Sequence, residues 1–101
     1  MTISLDRRIK EHDQALLQRF GSPIIGGEAL WRTLGFSNAA AFRNAIRRKN
    51  VPVPTFFVPG RKGRFARSLD IAYWLSSIDA AAEAARAVQN VQVTLNSPKR
   101  P

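Results

Sequence analysis

The chain has 101 residues, enough for one small domain with short extensions, and 45% of them are hydrophobic. Sixteen Lys and Arg against seven Asp and Glu give a net charge of +9, which favours a polyanionic partner. The absence of cysteine excludes disulfides, thiolate metal sites and cysteine nucleophiles. No apolar run reaches the ~18 residues that a membrane span needs.

The first predicted element is an amphipathic helix over residues 4–20. Ser4 is a suitable N-cap, and Gly21, followed by Ser-Pro, is expected to end the helix. Its apolar side chains recur at roughly helical spacing: Leu5, Ile9, Leu16 and Phe20. We assign residues 1–21 to an N-terminal helix whose apolar side needs cover from another surface.

Two short helices joined by a tight turn are predicted next. Residues 24–25 indicate a short strand or packing segment, and residues 27–34 a first short helix. Gly35 breaks this helix, and Ser37 is the expected N-cap of a second helix over residues 38–49. The order is that of a helix-turn-helix.

A β-hairpin with a basic tip follows the second helix. Residues 51–54 (VPVP) must be extended, because proline cannot continue a helix and restricts the residue before it. The hairpin is predicted over residues 55–66, and its turn at 59–63 contains two glycines and two cations. Because neighbouring strand residues point to opposite faces, either Phe56 or Phe57 should point outward.

A third helix is expected to begin after Ser68 as its N-cap, with Asp70 in its first turn. Its predicted core face has the spacing i, i+3, i+4 and i+7, namely Ile71, Trp74, Leu75 and Ile78. Together these elements define a central domain over residues 22–78. Its large aromatic residues are expected in the core: Trp31, Phe36, Phe42, Phe65 and Trp74.

The segment 79–101 is predicted to be an Ala-rich helix followed by a flexible basic tail. Residues 79–89 have very high helix propensity, residues 90–101 are expected to be frayed, and residues 91–95 alternate like a short strand. The apolar line of the third helix continues through Ala82, Ala85 and Val88. Two outcomes are open: the terminal helices pack on each other within one chain, or they pair between chains in a weak homodimer.

The second predicted helix has one apolar face and one cationic face. Ala39, Phe42, Ala45 and Ile46 cluster on one side of a helical wheel, and basic and amide side chains occupy the other. Arginine can present a planar fork to guanine, and asparagine can pair with adenine. The candidate DNA contacts of this helix are Ser37, Asn38, Ala40, Arg43, Asn44, Arg47 and Arg48.

All of the excess charge lies in one interval of the sequence. Between Glu28 and Asp70 there are nine Lys and Arg and no acidic residue. An ordinary solvated helix face mixes charges of both signs, so this interval favours contact with nucleic acid. The candidate contacts of the hairpin and its surroundings are Lys49, Arg61, Lys62, Arg64 and Arg67.

Over residues 24–77 the chain resembles the winged helix-turn-helix of the MerR superfamily, in the small form of excisionases and AlpA-like regulators. The resemblance depends on Glu28, Gly35-Phe36-Ser37, Phe42-Arg43, Pro52 and Pro54, Arg61-Lys62-Gly63-Arg64, and Asp70-Ile71-Ala72-Tyr73-Trp74-Leu75. One departure is Ala40, where such proteins usually have a hydroxyl residue. The resemblance implies duplex DNA binding, often cooperative and DNA-bending, in the control of site-specific recombination or transcription.

The expected fold is mainly α with a small β-hairpin: a winged helix-turn-helix core flanked by N- and C-terminal helices. Double-stranded DNA is the expected partner, and RNA binding or a protein-adaptor role is the alternative. Catalysis is not expected, because His12 is the only histidine and has no convergent metal or acid–base partners. We expect no cofactor, metal, membrane or small-molecule substrate, and a cytoplasmic, nucleoid-associated location.

Overall fold

The computed structural model describes residues 4–96, with side chains as far as residue 88. It is mainly helical with a small three-stranded antiparallel sheet, which confirms the predicted balance of helix and strand. The elements in chain order are α1 (Leu5–Phe20), β1 (Ile24–Gly26), α2 (Gly27–Thr33), α3 (Ala39–Arg47), β2 (Phe56–Phe57), β3 (Arg64–Arg67) and α4 (Ser68–Asn96).

Helix α1 begins and ends where the sequence predicts. The Ser4 hydroxyl accepts a hydrogen bond from the Arg7 backbone N–H at 3.2 Å, which satisfies one of the free donors at the helix start. At the other end Gly21 has a φ of 68°, and its N–H donates to the Leu17 carbonyl at 2.8 Å.

A Schellman motif ends α2. Gly35 has a φ of 93°, a conformation that only glycine adopts at little cost. The Phe36 N–H donates to the Trp31 carbonyl at 2.9 Å, and the Gly35 N–H donates to the Arg32 carbonyl at 3.0 Å. The predicted glycine turn is therefore present, and it sets the direction in which the chain enters α3.

Both predicted ends of α3 need correction. The N-cap is Asn38, not Ser37: the Asn38 side-chain oxygen accepts from the Ala41 N–H at 2.8 Å. The helix ends at Arg47, not at Lys49. Lys49 has a φ of 55° and takes the left-handed position of a second Schellman motif, in which the Asn50 N–H donates to the Ala45 carbonyl at 2.8 Å.

The hairpin of β2 and β3 is extended to a three-stranded sheet by β1, in the order β1-β3-β2. The short strand suggested by Ile24 and Ile25 is therefore real, and it pairs antiparallel with β3. Gly26 lies opposite Phe65, and a Cβ atom on Gly26 would lie 2.6 Å from the Phe65 ring. Glycine at this position lets the ring lie flat over the strand.

One hydrophobic core joins the helices to the sheet. Leu30 and Ile71 are fully buried at its centre, and Phe42 and Phe65 are buried as predicted. Other expected core aromatics are half-buried and pack against this centre: Trp31, Phe36 and Trp74. The Phe36 ring lies 5.5 Å from that of Phe42, so the turn residue holds α3 against α2.

Helices α1 and α4 pack on each other within the chain, one of the two predicted outcomes. Polar pairs mark the contact: Arg8 with Glu83 at 2.6 Å, His12 with Asp79 at 2.7 Å, and Asp13 with Ser68 at 2.7 Å. Positions later in α1 pair with positions earlier in α4, so the helices run antiparallel. His12, for which the sequence predicted no acid–base partner, is half-buried in this contact and does have a carboxylate partner, Asp79.

The buried face of α4 differs from the predicted one. Ala72 and Ser76 are fully buried beside Ile71, whereas Ile78 is 42% exposed. Ala72 and Ser76 face the rest of the protein because their small side chains let the neighbouring elements pack close to the α4 backbone. Ser68 is not an N-cap; it is buried, begins the helix, and donates its hydroxyl to Asp13.

Helix α4 continues without a break through residues 78–79, the predicted boundary between the central domain and the C-terminal segment. Its 29 residues extend about 44 Å at 1.5 Å per residue. The suggested strand at 91–95 is wrong, because residues 91–96 continue α4 as helix, whereas the flexible tail stays a prediction; residues 97–101 lie outside the described part. Within residues 4–96, none of the helices is long and apolar enough to cross a membrane.

Candidate nucleic-acid interface

A cleft of about 690 Å³ lies between α3 and the start of β3. Its floor is apolar and includes Trp31, Phe42 and Ile46, and its lining also contains three arginines, Arg43, Arg47 and Arg64. The fold therefore brings together one cation from the hairpin and two from α3. The hairpin and α3 are separate segments of the sequence, so only the tertiary structure brings these three arginines close together.

Helix α3 has the two faces that the sequence predicts. Phe42 and Ala45 are buried, and the residues of the opposite face are exposed: Ala40, Arg43, Asn44, Arg47 and Arg48. The Arg47 guanidinium donates a hydrogen bond to the Asn44 side-chain oxygen. These two side chains therefore act as one hydrogen-bonded unit on the exposed face.

The N-terminal end of α3 is exposed at Ser37 and Asn38. The Asn38 side-chain oxygen is used for capping, while its amide nitrogen lies 3.5 Å from the Ser37 hydroxyl. The first turn contains no acidic residue, so nothing there offsets the positive end of the helix dipole. Both side chains retain hydrogen-bonding capacity toward a ligand above this end.

The hairpin presents its cations at and beside its turn. Arg61 and Lys62 are exposed at the tip, and the Arg61 N–H closes the turn on the Val58 carbonyl at 3.0 Å. Arg64 is half-buried, donates to the Thr55 hydroxyl at 3.1 Å, and lies over the Phe57 ring at 4.6 Å from its centroid. The Arg64 guanidinium is thus held in one place rather than free in solvent.

Five of the seven acidic residues contact partners away from these cations. Glu11, Glu28, Asp79 and Glu83 pair with basic residues on α1 or α2, and Asp13 accepts from Ser68. All seven acids of the sequence lie within the described residues. Within residues 4–96, seven predicted site residues make no ion pair: Arg43, Arg47, Arg48, Lys49, Arg61, Lys62 and Arg64.

Arg67 is the predicted site residue that the structure does pair with an acid. It donates to both carboxylate oxygens of Asp70, at 3.1 and 3.0 Å. These hydrogen bonds raise the pKa of Arg67 above its ordinary value. Arg67 also lies at the far end of β3 from the hairpin turn, opposite Ile24 of β1.

Three features of the site were not found from the sequence. Trp31 was assigned to the core but also lines the cleft, Thr55 orients Arg64, and Asp70 neutralises Arg67. The spacing of Arg67 and Asp70, three residues apart where a strand passes into a helix, was the one available signal. Thr55 and Arg64 are nine residues apart, and only the hairpin register brings them together.

The fold and this site define a small, mainly helical domain with a cationic, acid-free surface around an apolar cleft. Comparison with protein-family models, curated proteins and solved structures found no match for the chain.

Proposed function

We propose that this protein binds duplex DNA as a winged helix-turn-helix, with α3 in the major groove and the β2–β3 hairpin as the wing. The main support is the set of seven cations on α3, just after it and on the hairpin, none of which has an acidic partner in the described residues. A surface of this kind releases counterions from DNA when it binds phosphates.

The order of elements supports the same proposal. Two helices joined by a Gly35 turn precede a two-stranded hairpin, and β1 completes the sheet in the order β1-β3-β2. The major groove, about 12 Å wide, admits one helix. The exposed face of α3 carries no residue larger than arginine and no acid, so α3 can enter the groove without repulsion.

Within this proposal the cleft receives one DNA strand as it passes from the major to the minor groove. Arg64 then contacts its phosphates, and the apolar floor, including Trp31, contacts the sugars. Arg43, Asn44 and Arg47 are the proposed base-contacting residues, since arginine and asparagine form paired hydrogen bonds with guanine and adenine.

RNA is a less suitable partner for this arrangement. The major groove of A-form RNA is deep and too narrow for side chains to read, so a helix-based interface loses its base contacts. A protein-adaptor role would not require seven cations without acidic partners. We further propose, from the sequence resemblance to excisionases and AlpA-like regulators alone, a role in recombination or in transcription of a mobile element.

A competition assay at fixed ionic strength tests the proposal. Labelled duplex selected by the protein from a random-sequence pool is competed with the same duplex unlabelled, with either single strand, and with structured RNA. We expect the duplex to compete best. The control is Arg7→Gln, which removes an exposed α1 cation that is paired with Glu11 and should leave binding unchanged. Equal or better competition by RNA or single strands contradicts the proposal.

The genetic role follows from the position of the binding site. Footprinting on the DNA that flanks the protein's own gene would show which role applies. Protection beside a recombination site supports a recombination directionality factor, and protection over a promoter supports a transcriptional regulator.

A further inference from the structure

Phe57 is the most exposed large hydrophobic side chain among the described residues, at 65%. A single exposed apolar side chain on a protein surface needs no explanation by itself. Phe57 differs in its position, because it lies on the edge strand β2 among the cations of the hairpin. Tyr73, which is 60% exposed, lies on α4 instead.

The strand register places Phe57 and Arg64 on one face of the hairpin. Phe57 pairs with Arg64 across the strands, and Phe56 pairs with Phe65. Directly opposed residues point to the same face, and neighbours along a strand point to opposite faces. Ala66, two residues after Arg64, shares the face of Phe57 and Arg64 and is fully buried, so this face covers the core at Ala66 and extends beyond it at Phe57, which is 65% exposed.

Arg64 connects this face to the cleft beside α3. It lines the cleft, while its guanidinium lies over the Phe57 ring and donates to Thr55. The guanidinium covers one face of the ring and leaves the rest open. An apolar ring and a held cation are thus presented together at the side of the hairpin.

We propose that Phe57 enters the minor groove of bound DNA as an apolar wedge, with Arg64 on the adjacent phosphate. The proposal rests on the duplex DNA binding argued above. The walls of the minor groove are deoxyribose, and its width of about 6 Å admits a ring presented edge-on. Apolar side chains inserted there pack against sugars and partly unstack a base step.

The salt dependence of binding separates a wedge from a phosphate contact. An apolar contact releases no counterions. Phe57→Ala should therefore lower affinity between about fivefold and a hundredfold at every salt concentration. The slope of log affinity against log salt concentration, here called the salt slope, should not change. Arg64→Gln should instead reduce the slope by about one. Phe57→Leu keeps an apolar wedge and should retain most of the affinity, and Tyr73→Ala should bind as the wild type does.

The probe is the duplex that the wild-type protein selects from a random-sequence pool, with 2-aminopurine placed at successive steps of the footprint. We expect fluorescence to rise at one step with the wild type and not with Phe57→Ala. Melting curves of the free variants check that each folds. Unchanged affinity and fluorescence for Phe57→Ala would overturn the wedge while duplex binding stands. Failure of the wild type to prefer duplex DNA would overturn both proposals.

Discussion

The Arg67 guanidinium donates two hydrogen bonds to the Asp70 carboxylate at the junction of β3 and α4. This pairing distinguishes Arg67 from the cations of α3 and the hairpin, which have no acidic partner among the described residues. The local charge at Arg67 is close to zero, so its capacity to release counterions from DNA is already reduced.

We therefore expect Arg67→Gln to leave the salt slope of DNA binding nearly unchanged. Asp70→Asn should free Arg67 for a phosphate contact and remove a negative charge. The affinity for DNA should therefore rise, and the salt slope should increase by about one. Anisotropy titrations at several ionic strengths measure both variants. A slope that falls for Arg67→Gln as it does for Arg64→Gln would show that Arg67 reaches a phosphate despite Asp70.

On α3, Arg43→Ala should cost roughly 1–3 kcal/mol on the selected duplex and relax one base preference. Arg47→Ala should do the same, but its effect should not add to that of Asn44→Ala, because the two side chains are hydrogen-bonded. Selection from a random pool with each variant measures preference. The matched control is Arg86→Ala on α4. Unchanged affinity and preference for both Arg43→Ala and Arg47→Ala would rule out α3 as the recognition helix.

The hairpin cations should act mainly through phosphates. Neutralising Arg61, Lys62 and Arg64 together should weaken binding to every sequence and lower the salt slope by about 3, near one per lost contact. The ranking of sequences by affinity should stay the same, since phosphate contacts carry no direct sequence information. An unchanged slope would mean that the hairpin does not contact DNA.

Lys49 has a left-handed backbone conformation, which glycine adopts with less strain than any other residue. Lys49→Gly should therefore stabilise the free protein by about 1 kcal/mol and raise its Tm by roughly 4–8 °C, while lowering the salt slope by about one. Lys49→Gln is the control, because it removes the charge but keeps the strain. It should lower the slope equally without raising Tm. Thermal melting and DNA titration of both variants test this, and a lower Tm for Lys49→Gly would contradict it.

Assembly is the last prediction. Helix α1 covers one side of α4, which leaves an exposed apolar line at heptad-like spacing: Ile78, Ala81, Ala85 and Val88. Such small side chains bury little area, so we expect a weak homodimer that DNA strengthens. Sedimentation with and without the selected duplex measures it, and Ile78→Ser with Val88→Ser should abolish it without unfolding the monomer. A strict monomer bound once per site, without cooperativity, would contradict the prediction.

Local signals in the sequence determined most of the secondary structure. Ser4, Gly21 and Gly35 fixed helix ends, because capping and left-handed turns involve only a few neighbouring residues. Alternation along β2 correctly required that one of two neighbouring phenylalanines point outward. The acid-free interval between Glu28 and Asp70 was visible without any structure, since charge is a property of composition.

Features that depend on contacts between distant segments were decided only by the tertiary structure. The predicted core face of α4 was wrong at Ile78, because the packing of α1 selects small Ala72 and Ser76 for the buried side. Two adjacent capping residues, Ser37 and Asn38, could not be ranked by propensity, which is similar for both. The cleft itself exists because the sheet brings β3 beside α3. A sequence records which cations are present, but folding decides which of them an acid neutralises.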